Sequence, residues 1–216
     1  MADNVRRRLL TRQESTGRLP AEYQEVEWIE SSGTQYINTN TNQQDLGFDI
    51  KFISFDEIGP SDYGSVFGSR YSSNNNEVHL STYTTDAHIN DGWSGTLRLG
   101  ATSQNYNAHL NAKGTVNTVR YQSGTYNANG TDYSYNTGTI NNTRYIYLFA
   151  LHNNTSATQY GKVRMYYVKL YKSGVLTRDM VPCYRKADGV IGMYDLVTDA
   201  FFTNAGSGTF TKGGNV

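Results

Sequence analysis

The chain has 216 residues, 37% of them hydrophobic and only 18% charged, and its 19 Lys and Arg balance 19 Asp and Glu. A single unit of this length hides about 70% of its unfolded surface, so its core needs no metal or disulfide staple. The balanced charge excludes nucleic-acid binding by an overall basic field, the lone Cys183 excludes an intramolecular disulfide framework, and no apolar run approaches the ~20 residues that span a bilayer.

Residues 1–18 read as a basic arm set apart from a body at residues 19–216. The arm carries Arg6, Arg7, Arg8, Arg12 and Arg18 against Asp3 and Glu14. Asp3 or Asn4 caps a short expected helix whose Val5 and Leu9 share one face and which ends before Gly17. Alone, so short a helix is marginal, so its order would come from a partner. The arginine run is followed only by Leu9 and Leu10, too short for a signal-peptide hydrophobic region. The residues expected to dock are Arg6, Arg7, Arg8, Leu9 and Arg12, and the neutral body favours a protein partner over nucleic acid.

From Leu19 onward the apolar period is two. Leu46, Phe48, Ile50 and Phe52 alternate with Gly47, Asp49 and Lys51, the pattern of a half-buried strand. Shorter runs of the same kind are expected at 63–67, 77–83, 96–99 and 115–121. The stretch 145–151 is apolar on both faces and is expected as one central strand covered on both sides. A long aromatic-rich strand follows at 163–171. Polar loops are expected at 72–76, 86–95, 122–138 and 152–159, with Asn129-Gly130 as a hairpin signal in the third. A dozen or more short strands without intervening helices predict an all-β fold, a two-sheet antiparallel β-sandwich.

Two stretches carry more specific information. They are LPAEYQEVEWIESSGTQYINT at 19–39 and MVPCYRKADGVIGMYDLVTDAFFTNAGSGTFTKG at 180–213, extending to Gly214. Together, over about a quarter of the chain, they resemble a family of concanavalin A-like (laminin-G-like) jelly-roll domains of tailed phages of gut bacteria. The resemblance implies a sandwich whose first and last strands lie together, with Val26 and Trp28 on one strand face and turns at Ala187-Asp188-Gly189 and 204–208. It also implies a non-enzymatic structural, decoration or fibre-type virion protein, made in the host bacterial cytoplasm and present as a homo-oligomer or in multiple copies on a particle among other virion proteins. A carbohydrate-binding adhesin module recognising host-surface or mucin glycans is the alternative.

Glu25-Val26-Glu27-Trp28-Ile29-Glu30 is similar to the E-x-D-x-x-E strand of jelly-roll glucanases, where two carboxyls perform acid and nucleophile work. Glu stands at the middle position here, and on a regular strand Glu30 lies on the face opposite Glu25 and Glu27. Glutamates facing solvent between buried Val26 and Trp28 explain the run without catalysis, and no enzyme is expected. The histidines at 79, 88, 109 and 152 show no metal-ligand or triad spacing and are expected as solvated side chains. No cofactor and no metal site is read, since Asp86, Asn90 and Asp91 are unspecific as calcium ligands. Glycan contact is the remaining chemistry: rings stack on sugar faces while amides and carboxylates bond hydroxyls. The candidates are Asp86, Asn90, Asp91 and Trp93 in one loop, and Tyr126, Asn129 and Tyr133 in another.

Overall fold

The computed structural model describes residues 17–42, 44–61, 63–72, 75–100, 104–135 and 143–216. Residues 1–16, and with them the expected arm helix and Arg6, Arg7, Arg8, Leu9 and Arg12, lie outside the described residues. Two sheets, of eleven and eight strands among those described, pack face to face as a β-sandwich.

The larger sheet holds β1 (Tyr23–Glu25), β2 (Ile29–Glu30), β4 (Leu46–Ser54), β9 (Val116–Gln122), β10 (Thr125–Ala128), β11 (Thr131–Ser134), β15 (Val163–Lys172), β16 (Val175–Arg185), β17 (Ile191–Asp195), β18 (Ala200–Thr203) and β19 (Thr211–Lys212). The smaller holds β3 (Ile37–Asn42), β5 (Ser65–Ser72), β6 (Asn75–Ser81), β7 (Thr96–Gly100), β8 (Asn105–Asn107), β12 (Tyr145–Leu148), β13 (Leu151–Asn153) and β14 (Ser156–Thr158). The named strand pairs are antiparallel except β13 with β5.

The alternation at 46–52 does what it predicts. Phe48, Ile50 and Phe52 are fully buried while Asp49 and Lys51 are half-buried on the opposite face. β4 lies between β9 and β15, and its Phe48 meets Phe67 of the other sheet edge-on at 4.8 Å. Two-residue turns with left-handed backbone close three hairpins: Ser123-Gly124, Asn129-Gly130 and Ser173-Gly174. Their φ > 0 at both positions matches the strand twist, and the Asn-Gly signal is of this kind.

The two terminal stretches meet. β1 pairs with β16, β2 with β19, and Val26 bridges to Asn215. Tyr36 N donates to Asn204 Oδ1 and Thr34 Oγ1 to the Ser207 carbonyl, so the expected turn at 204–208 is held by the opening segment. Leu19 is buried with Val181, Cys183 and Tyr194 in a small second cluster.

Several expectations need correction. Residues 145–151 are not one strand covered on both sides: Tyr145 is exposed and Phe149 adopts a left-handed backbone, reversing the chain between β12 and β13. Both arms of that reversal pair with β5 at Gly68, through Tyr147 and Leu151. Residues 122–138 contain β10 and β11, and 152–159 contain most of the β13–β14 hairpin. Residues 86–95 begin with a five-residue helix, α1 (Asp86–Asn90), whose N-cap Thr85 accepts from His88 N. Trp28 is not paired with Val26 in the core. A break between β1 and β2 buries Val26 and Ile29, and Trp28 lies under the Arg164 guanidinium at 3.8 Å.

Candidate functional site

The outward side of β5, β6 and β7 carries the most concentrated chemistry among the described residues. Val78 and Leu80 of β6 and Leu97 and Leu99 of β7 face the core, so the alternate positions Glu77, His79, Ser81, Thr96 and Arg98 share the other face. Register sets them side by side: His79 opposite Arg98, Ser81 opposite Thr96, Arg70 opposite Glu77 and Ser65 opposite Ser81. A bulge between Ser65 and Phe67 keeps Ser65 on this face while Phe67 enters the core.

This face is not open to water. Glu77, His79, Ser81, Thr96 and Ser65 are all buried, so an outer sheet face carries a covered polar layer. A pocket of about 170 Å³ remains in the cover, lined by Tyr63, Arg70, His79, Ser81, Tyr83, Thr96, Arg98 and Gln159. Tyr63 and Tyr83 lie parallel at 4.5 Å, and Tyr63 is about half exposed. Gln159 adopts a left-handed backbone, its carbonyl accepts from Ser65 N, and its buried side-chain Oε1 has no hydrogen-bond partner. A buried acceptor left unpaired is costly.

Beneath the pocket runs a chain of polar contacts. Ser65 Oγ stands 2.7 Å from His79 Nε2, His79 Nδ1 stands 3.2 Å from Glu77 Oε1, and Arg98 Nη1 donates to Glu77 Oε2 at 3.1 Å. The His79–Glu77 contact falls outside hydrogen-bond geometry, leaving Glu77 Oε1 without a hydrogen-bond partner. Burial lowers the His79 pKa, with the Arg98 and Arg70 charges pushing the same way against Glu77. Burial pushes Glu77 up, but His79 and Arg98 together bring it below the ordinary carboxyl value. The consistent assignment is a neutral imidazole that accepts from Ser65 and turns Nδ1–H toward a carboxylate. This has the order of a nucleophilic triad, yet Ser65 is fully buried and does not line the pocket. A triad serine must meet its substrate carbonyl, so the chain instead fixes the ring of His79 in the pocket floor. Gly68 permits the close fit, since a Cβ there would stand 2.9 Å from His79 Cα and 2.7 Å from the Val78 carbonyl.

These shifts set a sign for pH dependence. The folded state binds fewer protons than the unfolded chain once pH falls below the ordinary histidine value of 6.5, so stability is full above that pH and declines below it. His109 and His152, also lowered by burial, add in the same direction, and Glu77 extends the loss below 4.5. Thermal melts between roughly pH 7.5 and 5.5 are expected to show a falling midpoint, and His79→Gln is expected to flatten part of that fall. A midpoint independent of pH over this range would refute the assignment.

The sequence-derived candidates lie elsewhere. Asp86, Asn90 and Asp91 are exposed on and after α1, and Trp93 is half-buried with its ring stacked on His88 at 3.9 Å. Tyr126 must be withdrawn as a surface contact: it is fully buried and its hydroxyl donates to the Ala108 carbonyl at 2.7 Å. Asn129 is engaged by its turn, accepting from Thr118 N and donating to the His109 carbonyl. Tyr133 stacks on His109 at 3.7 Å. The two loops do approach each other through Asn107, whose Oδ1 accepts from Ser94 N and whose carbonyl accepts from the Tyr135 hydroxyl.

The expectation of solvated histidines also fails for His79 and His152, which are buried. His79 was recognisable only once strand pairing set it opposite Arg98 and beside Glu77. The carboxyls of the opening segment are dispersed: Glu25 pairs with Arg18, Glu27 accepts from Gly214 N and Glu30 pairs with Arg164. Among the described residues no group of three His, Cys, Asp or Glu is placed to hold a metal ion, and no helix is long and apolar enough to cross a membrane. Comparison with family models, curated proteins and solved structures finds no match to this chain.

Proposed function

We propose that the protein is a non-enzymatic, glycan-contacting β-sandwich that serves as a structural, decoration or fibre-type component of a tailed-phage particle, docked by residues 1–18. The observation that carries the glycan reading is the pocket on the smaller sheet. It joins an exposed aromatic ring and several hydroxyls in a space below the ~300 Å³ of drug-sized sites, fit for one sugar residue. The particle reading rests on the resemblance of 19–39 and 180–214 to phage jelly-roll domains. It is supported by where the chain enters the body: Arg18 pairs with Glu25 beside Val216, on the larger sheet, while the pocket opens on the smaller one. A body held from the larger-sheet side leaves the pocket facing outward.

Binding to a glycan array tests the first part. Tyr63→Ala is expected to weaken the retained glycans by up to about tenfold, the worth of one stacked ring, while Trp93→Ala leaves them unchanged. Unchanged binding by Tyr63→Ala would remove the pocket from consideration. Deleting residues 1–18 tests the second part, with loss of incorporation into particles and an intact fold expected. The adhesin alternative makes glycan recognition the main task, and in that case the deletion leaves both glycan binding and biological attachment intact.

A further inference from the structure

Two guanidinium groups border the same pocket, and among the described residues only Arg98 is paired with a carboxylate. Arg98 gives Nη1 to Glu77 Oε2 at 3.1 Å and Nε to Asn105 Oδ1 at 2.6 Å. Arg70 is held differently: its Nε donates to Asn153 Oδ1 at 3.0 Å, and among the described residues no carboxylate pairs with it and its terminal nitrogens have no partner. The imidazole between them is neutral, so among the described residues one positive charge of the pair has no counter-charge in a half-covered site. The terminal nitrogens of Arg70 are not buried and can exchange water for an anion, and its fork is already oriented by Asn153.

We infer that the pocket selects a sugar residue bearing a single negative charge, a carboxylate or a sulfate ester, whose acidic oxygens pair with the terminal nitrogens of Arg70. The apolar ring face of the same residue lies against Tyr63. The planar guanidinium offers two parallel donors to two oxygens of one acidic group, the geometry that makes such pairs stronger than neutral hydrogen bonds. The pocket's size limits the contact to one residue of a longer glycan. This inference rests on the glycan reading of the same pocket and adds its charge class.

The test uses the full chain on an array of matched neutral, uronic-acid, sialylated and sulfated glycans, with Arg70→Gln and Arg70→Lys beside the parent and circular dichroism as a check of folding. At least one acidic class is expected to be retained about tenfold or more over its neutral counterpart. Arg70→Gln is expected to erase that preference, Arg70→Lys to restore it in part, and added salt to weaken acidic but not neutral binding. Preference for the carboxylated or the sulfated members identifies the acidic group. Equal binding of neutral and acidic glycans, or acidic binding indifferent to Arg70→Gln, overturns the inference and leaves the glycan reading in place if Tyr63→Ala still weakens binding. Absence of binding to any glycan overturns both.

Discussion

Glu77→Ala is expected to destabilise the protein by about 3 kcal/mol or more, because it removes the one carboxylate that compensates a buried cluster. Glu77 is 2% exposed and its side chain contacts both Arg98 and His79. Without it, Arg98 keeps a charge in a site where its side chain is only 19% exposed, and Nδ1 of His79 faces an empty space. Breaking a buried pair costs more than the pair contributes, since the surviving ion stays desolvated. Glu77→Gln retains the shape and a carbonyl acceptor and should cost less. Urea unfolding with an unchanged m-value measures both, and a loss below about 1 kcal/mol for Glu77→Ala would show that water reaches Arg98 and replaces the carboxylate.

Phe48→Ala is expected to cost about 3–5 kcal/mol, with the thermal midpoint falling by roughly 10 °C. The ring is fully buried, sits edge-on to Phe67 across the sandwich at 4.8 Å, and has Tyr121 at 5.9 Å within its own sheet. β4 is hydrogen-bonded on both sides, with Phe48 opposite Tyr121 of β9 and Leu170 of β15. The backbone therefore cannot move in to fill the void, and the lost contacts are not recovered. Calorimetry of the variant beside Val175→Ala, at a position 66% exposed, separates a core effect from a general loss. Equal midpoints for the two would refute the placement of Phe48 between the sheets.

Legibility in the sequence followed the kind of signal. Period-two alternation at 46–52 and the Asn129-Gly130 turn are local, and both the strand and the hairpin form there. The pairing of the two ends came from a resemblance, and β1 with β16 and β2 with β19 bear out that geometry. The stretch 145–151 misled because composition shows which residues are apolar and says nothing of a left-handed Phe149 that turns the chain back on β5. The pocket was hidden for a related reason. Arg70, His79, Arg98 and Gln159 come from four separate segments, and no spacing along the chain marks them as neighbours. Their burial ran against expectation too, because an outer sheet face normally meets solvent, whereas Tyr63, Tyr83 and Gln159 cover this one.

The pairing of first strands with last sets an order on biosynthesis. As the chain emerges from the ribosome, β2 finds no hydrogen-bonding partner until β15 is made, and β1 none until the far end of β16 is out. At synthesis rates of about 5–20 residues per second the opening segment waits roughly 7–30 seconds with Val26 and Ile29 uncovered. Contacts so distant along the chain form only after both segments exist, so pairing of the two ends is expected late in folding.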